Sequence, residues 1–209
     1  MNIQVVNHPL IKEKMTRLRA VETASPLFRQ LLDQIAQLLL FDVTKDLLVE
    51  EVEVTTPMTK TTGYKLAASS ITVVPILRAG LGFLDAVLDL MPEANAGHIG
   101  LYRDEETLTP IEYYCKMPPD KNAEVIVIDP MLATGGSGAA AITMLKEKGY
   151  HNIRFMCLVA APEGVKVLNE AHPDVKIYAA ALDEGLNEHG YIVPGLGDAG
   201  DRVFGTVIK

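Results

Sequence analysis

One short run of the chain combines residue types that bind phosphate and hydroxyl groups. Val125 to Ile128 are four consecutive strand-forming residues, and an acid, Asp129, follows them directly. A loop of small residues with two hydroxyl side chains runs from Ala133 to Ser137, and residues 139–148 then have a helical composition. A small-residue loop between a strand and a helix offers a phosphate its backbone N–H groups and the positive end of the helix dipole. Asp129 is placed to accept hydrogen bonds from vicinal hydroxyls, so this run predicts a sugar phosphate as the ligand.

The loop differs from two common phosphate-binding motifs. A Walker A loop requires a lysine after its last glycine, whereas Ser137 follows Gly136 here. The run also lacks the G-x-G-x-x-G fingerprint of dinucleotide sites. Taken alone, the run is also compatible with an ordinary glycine-rich turn between a strand and a helix.

Two arginines follow other predicted strands. Arg78 comes shortly after the strand 71–74, and Arg103 lies just past the strand that begins at His98. A guanidinium group binds phosphate oxygens in a bidentate manner, so both arginines suit a diphosphate.

The chain resembles the uracil phosphoribosyltransferase family of type I phosphoribosyltransferases. Residues 125–137 resemble the loop with which type I enzymes bind phosphoribosyl diphosphate (PRPP), and the arginine segments 75–80 and 101–108 match the same family. The most specific match is residues 188–201, because other type I members lack the sequence Gly-Tyr-Ile-Val-Pro-Gly-Leu-Gly-Asp-Ala-Gly-Asp found there. The resemblance covers nearly the whole chain.

This resemblance implies transfer of the 5-phosphoribosyl group from PRPP to uracil, which gives UMP and diphosphate in pyrimidine salvage. The implied PRPP contacts are Arg78, Arg103, Asp129, Pro130, Met131, Leu132, Ala133, Thr134, Gly135, Gly136, Ser137 and Asp198. The implied uracil contacts are Ile192, Gly197, Asp198 and Ala199. The candidate catalytic residues are Arg78, Arg103, Asp129 and Asp198. They would act by holding the reactants in line and by stabilising the leaving diphosphate.

The resemblance also implies Mg²⁺ as a cofactor. Most type I members have two adjacent acids at the start of the PRPP loop, whereas Pro130 follows Asp129 here, as in uracil-specific members. We therefore expect no metal site held by the protein alone: Mg²⁺ would arrive on PRPP, and Asp198 would touch it through water. A homodimer or higher homo-oligomer, a candidate GTP effector and a non-proline cis peptide within residues 76–80 are further expectations from the family.

Composition excludes several other classes of protein. The 209 residues carry a net charge of −8 with a pI near 5.1, which argues against a nucleic-acid partner. No apolar run reaches the roughly 18 residues that a membrane span requires. The first residues do not have the pattern of a signal peptide, and the only two cysteines, Cys115 and Cys157, favour a reduced cytoplasmic protein, although a disulfide stays open.

The order of predicted elements indicates the fold class. Strands and helices alternate from Ile71 onward, which predicts an α/β fold with a parallel-stranded sheet flanked by helices. The predicted strands lie near 71–75, 98–102, 124–128, 153–159 and 175–181. The predicted helices lie near 81–91, 138–148 and 163–171. The loops after the strands should meet at the carboxyl edge of the sheet, an expectation that is independent of the family resemblance.

We expect a single domain, residues 1–209, with three distinct regions. They are an N-terminal helical region (1–60), a projecting hairpin arm or lid (103–119) and a uracil-binding C-terminal loop (185–205). Residues 50–60 are rich in strand formers but have no clear place in the sheet.

The N-terminal region contains one clear helix signal. Ser25 is predicted to cap a helix and Pro26 to occupy its first position. An apolar stripe follows at helical spacing and either packs on the sheet or forms a dimer seam; its members are Leu27, Leu31, Ile35, Leu38 and Leu39.

Two other functions remain compatible with these patterns. One is a phosphoribosyltransferase that acts on a purine or on xanthine. The other is a regulator of the same fold that binds PRPP or a nucleotide and controls an RNA or a promoter, although a basic surface would be expected for that role. The five histidines show no metal-ligand spacing, and His189 lies nearest the predicted site.

Overall fold

The computed structural model describes residues 2–103 and 110–206, except for the side chain of Arg103. The described helices are α1 (Pro9–Arg19), α2 (Ser25–Val43), α3 (Leu81–Leu90), α4 (Gly136–Glu147), α5 (Pro162–Ala171) and α6 (Ala199–Phe204). The described strands are β1 (Ile3–Val5), β2 (Val49–Thr55), β3 (Lys60–Leu66), β4 (Ile71–Leu77), β5 (Asn95–Ala96), β6 (His98–Arg103), β7 (Pro110–Lys116), β8 (Glu124–Ile128), β9 (Met131–Leu132), β10 (Ile153–Ala160), β11 (Lys176–Leu182), β12 (Gly185–Leu186) and β13 (Ile192–Val193).

A largely parallel sheet forms the centre of the molecule. Its strands follow the order β1-β11-β10-β8-β4-β6-β7, with β5 beside β4 and β9 beside β10. The pairs are parallel except for β6 and β7. The prediction of an α/β fold with a parallel-stranded sheet is therefore confirmed.

The sheet is buried on both faces because successive side chains of a strand point to opposite sides. Val73, Ile126 and Met156 pack with α1, α2, α3 and α6 on one face. Their chain neighbours, among them Val127 and Cys157, pack with α4 and α5 on the other face. This two-sided burial explains why the central strands β4, β8 and β10 are largely apolar rather than alternating. None of the described helices is both long enough and apolar enough to cross a membrane.

The predicted elements from Ile71 onward are all present, with ends within two residues of their predicted positions. The capping prediction was wrong by one residue: Ala24 is the N-cap and makes no side-chain capping bond, while Ser25 is already helical. Pro26 lies in the first turn, where its missing N–H removes no helical bond. The apolar stripe of α2 packs in the core, as the first of the two interpretations predicted.

The described residues form three antiparallel hairpins, the shortest of which pairs β12 with β13 in the C-terminal loop. In the predicted arm, β7 pairs with β6 along the sheet edge, and residues 104–109 of that arm lie outside the described residues. The third hairpin pairs β2 with β3 apart from the main sheet. Residues 2–60, part of the region predicted as helical, contain α1 and α2 together with β1, β2 and the first residue of β3. The sequence did not locate the β2–β3 hairpin because its residues are exposed or half-buried, and no buried face imposes an alternating pattern.

Candidate active site

The residues predicted to bind the diphosphate and ribose follow strands that end at one edge of the sheet. Arg78 follows β4, Asp129 follows β8, and Arg103 is the last residue of β6. These three strands are parallel, so their carboxyl ends meet. A Cβ built on Gly80 would lie 2.5 Å from the carbonyl oxygen of Ile128, so the turn after β4 packs directly against the end of β8.

The turn that carries Arg78 is tight. The Leu77–Arg78 peptide is cis, which confirms the expectation of a non-proline cis bond in residues 76–80. The N–H of Gly80 donates to the carbonyl of Ile76 at 2.9 Å. The guanidinium carbon of Arg78 lies 5.9 Å from the ring centroid of Phe204 in α6, so the arginine stands beside the C-terminal segment.

The loop between β8 and α4 is held from behind by its neighbours. The carbonyl of Pro130 accepts hydrogen bonds from the N–H groups of Leu158 and Val159, both at 3.0 Å. A Cβ on Gly164, in α5, would lie 2.6 Å from the carbonyl oxygen of Leu132. Gly135, with φ +83°, is the N-cap of α4. The first amides of α4 have no acceptor inside the helix, so this loop presents N–H groups suited to a phosphate.

Asp129 has an unusual environment for a carboxyl group. The residue as a whole is only half-buried, but its carboxyl lies deep among protein atoms. Burial raises the pKa of Asp129 to about 7, and the N–H of Met131, 3.5 Å from Oδ1, opposes that rise. Burial, reinforced by the charge of Asp129, also raises the pKa of the nearby Cys157 thiol. The Asp129 carboxyl therefore changes charge near neutral pH. It lies at the place where a hydroxyl-rich ligand would bind.

The glycine-rich C-terminal loop lies against both of the segments just described. A Cβ on Gly200 would lie 3.8 Å from the Cβ of Ala79, and a Cβ on Gly190 would lie 3.8 Å from Cγ2 of Thr134. Asp198 caps α6 and accepts from the N–H of Asp201 at 2.8 Å. The structure thus brings the Arg78 turn, the 129–137 loop and the C-terminal loop together.

The predicted uracil-contact residues differ in exposure. Ile192 and Ala199 have buried side chains, whereas Gly197 and Asp198 are exposed. Gly197 has φ +82°, a conformation that favours glycine. The loop therefore presents accessible main-chain groups between two buried anchors.

The β6–β7 hairpin reaches the same place. Arg103 pairs with Pro110, and a Cβ on Gly136 would lie 3.9 Å from Cγ of Pro110. The backbone of Arg103 therefore ends next to the predicted PRPP loop. The side chain of Arg103 lies outside the described part of the structure.

Two cavities lie at the opposite edge of the sheet. Their volumes are about 360 and 390 Å³, and both are lined by Glu124, Asn152 and Arg154, near the amino ends of β8 and β10. They are far from the converging loops in this fold. The candidate active site is thus an assembly of loops and does not coincide with these cavities.

Comparison with known proteins identifies the family. The sequence model for uracil phosphoribosyltransferases matches residues 5–206. The chain belongs to the uracil phosphoribosyltransferase family. Curated family members include the uracil phosphoribosyltransferase of Streptococcus pneumoniae serotype 4, 58% identical over 205 residues and 98% of each chain. That of Finegoldia magna is also 58% identical over 205 residues, with the same coverage.

Solved structures show the same fold. A protein from Aquifex aeolicus has a TM-score of 0.93 and 39% identity, covering 99% of this chain and 100% of its own. An adenine phosphoribosyltransferase from Leishmania donovani has a TM-score of 0.61 at 12% identity, covering 90% of this chain and 87% of its own. The second likeness concerns the fold alone and extends it to other phosphoribosyltransferases.

Sequence reasoning missed three charged residues that hold the C-terminal loop of this family member. They are Arg19 in α1, Asp183 after β11 and Arg202 in α6. One signal for Asp183 was available, because an acid directly after a parallel strand lies at the ligand-binding edge. Arg19 had no such signal, because it lies in α1, 176 positions from Gly195. Arg202 directly follows the matched segment 188–201 and lies within the predicted C-terminal loop (185–205).

The remaining candidate groups serve the structure or lie on the surface. His172 is buried, and its Nε2 lies 3.1 Å from Oγ1 of Thr143 and 2.9 Å from the carbonyl oxygen of Ala139. His189 is exposed beside Glu188. Cys115 and Cys157 are free thiols. Among the residues that the structure describes, no group of three His, Cys, Asp or Glu side chains is arranged to hold a metal ion.

Proposed function

We propose that this protein transfers the 5-phosphoribosyl group of PRPP to uracil and releases UMP and diphosphate. Membership of the uracil phosphoribosyltransferase family supports the reaction. The observation that carries it in the structure is the position of the C-terminal loop, which lies against the Arg78 turn and the PRPP loop at once. A base bound in that loop would meet a ribose bound beside it.

The 5′-phosphate would bind to the loop that ends at Ser137. The N-terminus of α4 supplies backbone donors and a favourable dipole, and glycine at position 136, where a Cβ would meet no atom nearer than 3.9 Å, lets the phosphate approach the main chain. Asp129 would accept hydrogen bonds from the ribose hydroxyls in its ionised form. Its half-buried position beside the loop supports that role.

The two arginines would stabilise the departing diphosphate. As the bond from C1 of the ribose to the diphosphate breaks, negative charge accumulates on the leaving oxygens and positive charge on the sugar ring. Arg78 stands at the end of β4 and Arg103 at the end of β6, on strands that are parallel neighbours. Pre-organised donors of this kind lower the barrier because they need no reorganisation during the reaction. No nucleophilic side chain is required.

Uracil would be recognised by main-chain groups of the C-terminal loop. The base presents two carbonyl acceptors on either side of an N–H donor. Backbone groups of Ile192, Gly197 and Ala199, with Asp198 beside them, offer the complementary pattern. Cytosine replaces one carbonyl and the N–H, so it would leave buried polar groups of the site unpaired.

Mg²⁺ would enter with PRPP. Asp198, in the C-terminal loop, is the carboxylate that would touch such an ion, and Pro130 takes the place of a second acid after Asp129. Bound Mg²⁺ would neutralise charge on the diphosphate. Asp198 already accepts a hydrogen bond from the N–H of Asp201, which supports a contact through water rather than direct ligation.

Three further proposals rest on the family alone. They are a homo-oligomeric state, GTP as the candidate effector and a cytoplasmic location. Sedimentation analysis measures the first, and the rate at fixed PRPP and uracil with added GTP measures the second.

Product analysis tests the proposed function. The protein is mixed with Mg²⁺, PRPP and one free base at a time, and nucleotides are separated by chromatography. UMP from uracil, with no product from cytosine, is the expected result. A nucleotide from xanthine or a purine instead would identify a different phosphoribosyltransferase. No turnover together with a mobility shift of total RNA would favour the regulator.

A further inference from the structure

Two side chains from outside the C-terminal loop fix the main chain of Gly195, which lies between the uracil-contact positions Ile192 and Gly197. Oδ2 of Asp183 accepts from the Gly195 N–H at 2.9 Å. Nη1 of Arg19 donates to the Gly195 carbonyl oxygen at 2.6 Å. Both polar groups of one loop residue are thus held by charged side chains.

These two side chains also bind each other. Arg19 donates to both carboxylate oxygens of Asp183, at 2.7 and 2.6 Å. The side chain of Asp183 is 5% exposed and that of Arg19 is 23% exposed. A bidentate pair with this degree of burial has a fixed geometry. The N–H of Asp183 donates to the carbonyl of Ala160 at 2.9 Å, which anchors the pair to the sheet edge.

Arg202 holds the next residue of the loop. It is 8% exposed, and its Nη1 donates to the carbonyl of Leu196 at 3.0 Å. Its Nη2 donates to the carbonyls of Ala20 at 2.8 Å and Thr23 at 3.3 Å, in the turn after α1. The guanidinium carbon lies 4.5 Å from the ring centroid of Phe28. The Leu196 carbonyl is therefore drawn toward the α1–α2 turn.

Because each peptide group is planar, these contacts fix the directions of two backbone N–H groups in the loop. The Leu196–Gly197 bond is trans, so its C=O and N–H point in opposite directions in one plane. Because Arg202 binds the Leu196 carbonyl, the Gly197 N–H must point away from Arg202. In the same way, the Arg19 bond to the Gly195 carbonyl directs the Leu196 N–H away from Arg19.

We propose that Arg19, Asp183 and Arg202 are positioning residues that set the selectivity for uracil by fixing the direction of the Gly197 N–H. The inference rests on the proposed function, because it requires that this loop binds the base. None of the three contacts the substrate in this scheme. They act through the three consecutive peptide groups that they hold, from Pro194–Gly195 to Leu196–Gly197.

Kinetics of the Arg202→Ala, Arg19→Ala and Asp183→Ala variants test the inference, with Arg17→Ala as the matched control. Arg17 lies on the same helix as Arg19, and its side chain forms an exposed ion pair with Glu13. A displaced donor should raise the KM for uracil by on the order of 10²-fold. The KM for PRPP should stay near that of the wild type, and the preference for uracil over cytosine should fall. Arg19→Lys should restore part of the preference, because it keeps one charged donor.

Each outcome of this test decides a different question. Folded alanine variants with an unchanged KM for uracil and unchanged preference would overturn the inference, as would an equal rise in both KM values. A lower melting temperature with unchanged KM values would show that the pair only stabilises the fold and would also overturn it. If the alanine variants do not fold, Asp183→Asn and Arg19→Lys supply the same measurements. A wild-type protein that makes no UMP would refute the proposed function instead.

Discussion

At the scale of single residues, the site combines side chains with opposite requirements. Arg78 must remain charged to bind a diphosphate, and its place in a turn beside Phe204 leaves it near the surface of the converging loops. Asp129 lies deep enough that its pKa is about 7, so its charge depends on the surrounding pH. The two residues therefore lead to different experiments.

Replacing Arg78 should affect the rate far more than the fold. We expect Arg78→Ala to lower kcat/KM by about 10²–10³-fold, the loss typical of removing one pre-organised donor. Steady-state rates with uracil and PRPP measure the effect, and Arg17→Ala serves as the control for loss of an exposed arginine. Near-normal turnover of a folded Arg78→Ala variant would contradict the assignment.

Replacing Asp129 should change how stability depends on pH. The pKa of Asp129 in the folded protein is raised above its usual value of 3.8, so its stabilising contribution is complete below about pH 4 and is lost as the pH rises through about 7. Asp129→Asn removes this loss, so at pH 8 the variant should be more stable than the wild type by about 1–3 kcal/mol. Urea unfolding at pH 5 and pH 8 measures the difference.

If Asp129→Asn were less stable than the wild type at pH 8, a buried environment for the Asp129 carboxyl would be refuted. A free-energy difference between wild type and Asp129→Asn that is the same at both pH values would show that the carboxyl is not buried. The same variant should bind PRPP weakly, because an amide accepts hydrogen bonds from the ribose hydroxyls less well than a carboxylate does.

At the scale of elements, close backbone contacts set the shape of the PRPP loop. α5 approaches the loop through Gly164, where a Cβ would clash with the carbonyl oxygen of Ala133 and lie 2.6 Å from that of Leu132. Gly80 allows the same kind of close backbone contact between the Arg78 turn and the end of β8. Glycine is needed at both places because main-chain atoms, unlike the ends of flexible side chains, cannot move aside cheaply.

Gly164→Ala should therefore displace the PRPP loop although alanine favours helices. We expect a loss of about 1–3 kcal/mol in the free energy of unfolding, as for other overpacked sites, and a raised KM for PRPP. Gly149→Ala is the control, because Gly149 has φ +91° but no atom within 4 Å of the added Cβ. That control should lose stability without any change in the KM for PRPP, and equal KM values in the two variants would contradict the argument.

At the scale of the whole molecule, the number and arrangement of the acidic residues bear on how Mg²⁺ would bind. The chain has 27 acidic residues against 19 basic ones, yet the described residues contain no group of three potential ligands arranged to hold a metal ion. Mg²⁺ keeps several of its waters and usually binds through one or two carboxylates together with substrate phosphates. An acidic protein can thus depend on its substrate to bring the ion.

Calorimetry can distinguish Mg²⁺ binding to the protein alone from Mg²⁺ binding together with PRPP. We expect no micromolar binding of Mg²⁺ to the protein alone and clear binding of Mg²⁺ together with PRPP. Asp198→Asn should weaken the binding of Mg²⁺ with PRPP while leaving the loop able to bind uracil. Micromolar Mg²⁺ binding without PRPP would show that the protein has a metal site of its own.

The sequence by itself determined the elements whose signals are local. The strand, acid, loop and helix of residues 125–147 are contiguous, so the apolar pattern of the buried strand and the phosphate-binding residue types of the loop occur in one short stretch of sequence. The alternation of strands and helices then placed Arg78, Arg103 and Asp129 at one edge, since parallel strands with right-handed crossovers share their carboxyl ends.

Only the tertiary structure decided how the base-binding loop is held. Arg19 and Asp183 are 164 positions apart, and Arg202 is 182 positions from Ala20. Their contacts arise because α1 and α6 pack in one cluster on the same face of the sheet, which no local pattern encodes. The raised pKa of Asp129 has the same origin. Burial depends on which distant segments surround a group, so it follows from the fold rather than from neighbouring residues in the chain.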